Sequence, residues 1–104
     1  SIGGRKGGYG RSAYRVTKSG LISFTESLAA EVYEHGINVN AICPGGTDTE
    51  GYRSAFGSAG RADNPKLMDP SEIAAVALFL ASDKSSAITG TAIDAFGGSN
   101  PLLG

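Results

Sequence analysis

Tyr14 and Lys18 stand four positions apart in "SAYRVTKSGL", residues 12–21. On a helix, residues at i and i+4 share a face with their β-carbons about 6 Å apart, so the phenol and the ammonium project together. At roughly 7 Å and an effective dielectric near 20, the lysine charge favours the phenolate by about 2 kcal/mol. A tyrosine so placed can exchange a proton with a substrate oxygen. The same spacing also fits a packed phenol ring beside a solvated lysine, so the surroundings of the pair carry the argument.

Those surroundings supply more chemistry. A hydroxyl, Ser1, stands thirteen residues before Tyr14, and Gly3, Gly4, Gly7, Gly8 and Gly10 fill the interval. Further on, "INVNAICPGGTDT" ends a β-rich run at Pro44-Gly45 and follows it with the hydroxyls of Thr47 and Thr49. Glycine at such places lets backbone approach a ligand or turn tightly.

The elements that must position these groups follow from periodicity. Val16, Leu21, Phe24, Leu28 and Val32 recur at helical steps, which predicts a helix over residues 12–35 with Ser12 as N-cap and Gly36 as its left-handed stop. Residues 37–43 alternate as a strand. Residues 45–70 read as a long loop with one helical patch at Tyr52–Phe56, the kind of loop that more often serves function than not. A second helix opens at Pro70-Ser71, capped by Asp69 or Ser71, and ends near Asp83. Residues 88–96 form a last strand before Gly97-Gly98.

This order is the alternation of an α/β protein with a parallel sheet. Two strands joined through helices do not make a stable parallel sheet alone, because such sheets are buried on both faces. The sequence therefore reads as the C-terminal part of a larger α/β domain, with residues 1–104 its catalytic portion.

Composition narrows the function. Nine basic against ten acidic residues give a net charge of −1, which offers no electrostatic case for a nucleic-acid partner. No apolar run has the length of a membrane span, so a soluble, cytoplasmic protein is expected. The single cysteine, Cys43, reads as a small buried residue in a strand, and one cysteine and one histidine provide no metal cluster. His35 falls in the last helical turn, where a cation favours the helix dipole. Phe24, Phe79 and Leu80 read as core or subunit-interface residues.

Taken together, Ser1, the "YRVTK" of Tyr14 and Lys18, "INVNAICPGGTDT" and "DPSEIAAVALFLASDKSSAITGTAIDAFGG" resemble the short-chain dehydrogenase/reductase family over nearly the whole chain. Within it the look is nearest to 3-oxoacyl-[acyl-carrier-protein] reductases. The resemblance implies a Rossmann-type doubly wound parallel sheet with flanking helices. It also implies an oxidoreductase that interconverts a carbonyl and a secondary alcohol with NAD or NADP.

By the same resemblance Tyr14 is the general acid/base, Lys18 tunes it and holds the nicotinamide ribose, and Ser1 hydrogen-bonds the substrate oxygen. Pro44, Gly45, Thr47 and Thr49 are then cofactor contacts, residues 50–68 a substrate lid with Gly57 and Gly60 as hinges, and the assembly a homodimer or homotetramer. The family's TGxxxGxG turn, its NNAG segment and the asparagine of its proton relay have no counterpart in these residues. Ala95-Phe96 replaces the usual valine and acid or amide before the last glycines, and Thr47 stands where valine is common. Epimerisation or dehydration from the same tyrosine and lysine, or an inactive incomplete piece, are the alternatives.

Overall fold

The computed structural model describes residues 1–104. Its longest element is helix α1, Ser12–Val32, prolonged by a 3-10 turn at Tyr33–His35 and closed by Gly36 at φ 73°. The expected span and stop hold; the expected cap does not. Arg11, not Ser12, is the N-cap, at φ 55° and without a side-chain capping bond. Gly10 and Arg11 are both left-handed, so the chain swings into the helix one residue earlier and Ser12 already lies in the first turn.

A 3-10 turn at Ile2–Gly4 lies directly against α1. Only glycine permits that approach. A β-carbon on Gly4 would fall 2.9 Å from the Lys18 carbonyl oxygen, and one on Gly3 would fall 3.0 Å from the Tyr14 ring.

Strand β1, Ala41–Pro44, pairs in parallel with β2, Ala92–Ala95, in the register Ala41 to Ala92 through Pro44 to Ala95. Both strands are shorter than residues 37–43 and 88–96, and side chains explain why. Val39 N donates to Thr89 Oγ1, Asn40 Nδ2 to the Ile88 carbonyl, and Thr91 N to Asn40 Oδ1. The two segments still run together ahead of the sheet, but amide and hydroxyl groups replace part of the backbone ladder.

Between the strands lie α2, Glu50–Phe56, and α3, Pro70–Ala81. The predicted loop at 45–70 thus contains a full helix that starts before the Tyr52–Phe56 patch, because Thr49 Oγ1 caps it by accepting from Tyr52 N at 3.0 Å. Helix α3 begins with a capping box. Asp69 accepts from Ser71 N at 2.9 Å, Glu72 reaches back to Asp69 N at 2.8 Å, and Pro70 occupies the first turn.

Cys43, Ala29, Leu67 and Met68 form the buried apolar core, with Cys43 the most enclosed side chain, as its strand position predicts. Phe24 and Phe79 are not core residues here, being 59% and 42% exposed, and Leu80 is half-buried. A two-stranded sheet has too little face to cover the two longer helices, α1 and α3.

Candidate active site

Ser1 is held by the turn it starts. Its Oγ caps Ile2–Gly4 by accepting from Gly3 N at 3.0 Å, and it accepts a second hydrogen bond from the Tyr14 hydroxyl at 3.1 Å. A serine hydroxyl has two acceptor lone pairs and one proton, so with both lone pairs engaged the proton is left to donate outward. Arg5 secures the turn from behind. Its Nε lies 2.7 Å from Asp94 Oδ1 and its Nη2 bonds the Ala92 carbonyl, which ties the segment after Ser1 to β2. The Asp94 bond holds the Arg5 guanidinium above its ordinary pKa.

Tyr14 and Lys18 sit in the first two turns of α1, as the spacing requires. Lys18 Nζ stands 5.3 Å from the Tyr14 ring centroid, and Arg11 Cζ stands 4.0 Å from the same centroid. Lys18 takes part in none of the chain's three ion pairs.

Two clefts meet at this tyrosine. The first, about 360 Å³, runs along the whole of β1 and is lined by Lys18, Leu21, Ile22 and residues 41–45 together with Ser1 and Tyr14. The second, about 400 Å³, is walled by α2 and lined by Arg11, Thr47, Thr49, Tyr52 and Phe56, again with Ser1, Tyr14, Pro44 and Gly45. The second cleft lies beyond the carboxyl end of β1, where α/β sheets bind ligands.

Pro44 and Gly45 therefore stand between the two clefts. Gly45 crosses the end of β2 so closely that a β-carbon would fall 2.5 Å from the Phe96 carbonyl oxygen. Thr47 and Thr49 are brought to the second cleft and not to the Lys18 side. Thr47 Oγ1 donates to the Gly45 carbonyl at 3.0 Å, while Thr49 Oγ1 accepts from Tyr52 N and keeps its proton free. The structure thus gathers Ser1, Tyr14, Lys18, Pro44 and Gly45 at one point and sets the two threonines toward α2.

Three contributors escape sequence reading. Asp48 receives both Arg53 nitrogens, at 2.8 and 3.0 Å, and Arg61 N at 3.3 Å, and so pins α2 to the segment after it. The Arg53 bonds hold the Asp48 carboxyl below the usual carboxylate range. Ser99 Oγ accepts from Gly46 N at 3.1 Å and steadies the turn after β1. Arg5 finds its partner 89 residues away, and no local pattern announces such a pair.

Comparison with known proteins decides the family. A family model described as enoyl-(acyl carrier protein) reductase matches residues 1–100. A short chain dehydrogenase family protein from Francisella tularensis superposes with a TM-score of 0.83 at 30% identity, covering 95% of this chain and 48% of that one. The chain belongs to the short-chain dehydrogenase/reductase family. It is similar also to the acetoacetyl-CoA reductase of Shinella zoogloeoides, 41% identical over 104 residues, which span 94% of this chain and 43% of that enzyme. A 4-hydroxyisoleucine dehydrogenase complexed with NADH superposes with a TM-score of 0.77 at 32% identity, over 96% of this chain and 43% of that one. This short-chain dehydrogenase/reductase chain thus spans less than half the length of each of these three relatives, and its fold is of the Rossmann type.

Proposed function

We propose that the complete protein carrying this chain is an NAD(P)-dependent oxidoreductase that interconverts a carbonyl and a secondary alcohol, with Tyr14 moving the proton. The observation that supports this most is the Tyr14 hydroxyl at 3.1 Å from the Ser1 hydroxyl, at the junction of two clefts, with the Lys18 ammonium beside the ring.

The junction of the two clefts suits a nicotinamide riboside, because it combines the Tyr14 hydroxyl, an ammonium free of any acidic partner and the backbone turn at Pro44-Gly45. Lys18 and Tyr14 would hold the ribose, and Pro44 and Gly45 the ring. When bound, the nicotinamide supplies or removes hydride at the substrate carbon.

The chain's own residues handle the oxygen. The free Ser1 proton donates to the substrate carbonyl and stabilises the negative charge that develops there. Tyr14, whose hydroxyl lies 3.1 Å from Ser1 Oγ, turns from that partner to give its proton to the substrate oxygen in reduction and takes one back in oxidation. The positive charge of Lys18 favours the phenolate that remains.

Residues 1–104 form the C-terminal catalytic portion of the domain in this account. The exposed Val16, Leu21, Phe24 and Phe79 then meet either the rest of the sheet or a second subunit in a homodimer or homotetramer. A free, buried Cys43 suits a cytoplasmic enzyme. No helix is long and apolar enough to cross a membrane. The test supplies the complete protein with NADH or NADPH and a panel of ketones. Oxidised cofactor and secondary alcohol are expected to appear one for one; alcohol formed without net cofactor oxidation, or no consumption of any ketone, contradicts the proposal.

A further inference from the structure

Arg11 is the one strained residue beside the site. It is the only non-glycine residue of the chain with positive φ, 55°, a conformation that costs energy and persists where surroundings impose it. The backbone so bent carries its guanidinium over the Tyr14 ring, 4.0 Å from the centroid. The side chain forms no ion pair, since the chain's three are Arg5 with Asp94, Glu34 with His35, and Asp48 with Arg53. It lines the second cleft, whose wall holds no other charged side chain and no acid at all. The rest of the wall includes the apolar Ile2, Ala55 and Phe56, the Tyr52 ring, the hydroxyls of Ser1, Tyr14, Thr47 and Thr49, and the backbone of residues 44–46 and 51.

From this juxtaposition we infer that Arg11 is a specificity residue that selects carbonyl substrates bearing a carboxylate a few atoms from the reacting carbon. A guanidinium with open donors binds a carboxylate through paired hydrogen bonds. Its closeness to the Tyr14 ring sets the reach: the anion must lie near the carbonyl, which fits a short oxo acid better than a carrier whose phosphates are remote. The apolar wall then takes the short alkyl part. This inference rests on the oxidoreductase proposal above for the word substrate, though not for the anion site itself.

The test compares 3-oxobutanoate and 4-oxopentanoate with their methyl esters in the complete protein. The wild type is expected to favour the acids over the esters in kcat/KM by about tenfold or more, the worth of one charge-assisted contact. Arg11→Gln abolishes that preference, lowering kcat/KM for the acids about tenfold more than for the esters, and an unchanged circular-dichroism spectrum shows that the variant is folded. Equal use of acids and esters by the wild type, or equal loss on both in Arg11→Gln, overturns the inference, because Arg11 would then only brace Tyr14.

A second measurement does not need turnover. Calorimetry with butanoate is expected to show binding that Arg11→Gln weakens about tenfold. Butanoate binding that depends on Arg11, in a protein that reduces no ketone, keeps the anion site and removes the oxidoreductase proposal. Binding unchanged in Arg11→Gln removes the site.

Discussion

Ser1 carries two hydrogen bonds, and their directions set what it can do. Accepting from both Gly3 N and the Tyr14 hydroxyl, it has only its proton to offer a substrate oxygen. Ser1→Ala in the complete protein removes that donor and frees Tyr14 to rotate. We expect kcat to fall about 100-fold with cofactor affinity kept, measured by steady-state kinetics and cofactor titration; unchanged kcat would remove Ser1 from the site. Tyr14 and Lys18 were legible in the sequence because helix periodicity is local and one turn fixes their face, whereas Ser1 was legible only through the family resemblance. Arg11 was not, since its left-handed backbone depends on how Gly10 and the Ile2–Gly4 turn settle on α1. Arg5 was not, since its acid lies on the far strand.

At the scale of elements, the two long helices were legible and their partners less so. Helix α3 announced itself by Asp69, Pro70 and Glu72, three residues whose capping chemistry is local. Strand β1 was overextended, because the alternation of Asn38 and Asn40 with Val39 mimics a strand while their amides bond the neighbouring segment through side chains. Helix α2 is only partly legible, because Thr49 serves equally as a helix cap and as a hydroxyl for a ligand.

What holds α2 over the second cleft is Asp48, with its paired bonds to Arg53 and its bond from Arg61 N. Asp48→Ala is expected to raise KM for the ketone several-fold, leave cofactor affinity intact and speed proteolysis in residues 57–66. Equal KM and equal cleavage would show that the clamp does not govern the lid. The sign with pH follows from the lowered carboxyl. Its contribution is complete above the ordinary value of 3.8 and is lost as pH falls through the lowered folded value. Proteolysis of the wild type in residues 57–66 should therefore accelerate only in strong acid, and an onset near neutrality would point to another group.

At the scale of the molecule, the chain is open. Its radius of gyration is 15.1 Å, against about 13 Å for a compact chain of this length. Eight of its 104 residues are buried. Alternation of helix and strand made the α/β class legible, and the expectation of further strands comes from the burial rule for parallel sheets. Which surfaces close the core was not legible, because Phe24 and Phe79 look the same in sequence whether they meet a sheet or a subunit. Produced alone, residues 1–104 are expected to bind a hydrophobic dye and to show no measurable NADH or NADPH binding by fluorescence. Tight cofactor binding by the isolated chain would mean that these residues suffice to grip it.

Whether Tyr14 moves the proton is tested most directly by one substitution. Tyr14→Phe keeps the ring that Arg11 and Lys18 flank and deletes only the hydroxyl that meets Ser1. In the complete protein, kcat for ketone reduction is expected to drop at least about 1,000-fold, with the dissociation constant for NADH or NADPH within about twofold of wild type. Turnover at the wild-type rate in Tyr14→Phe would contradict the account.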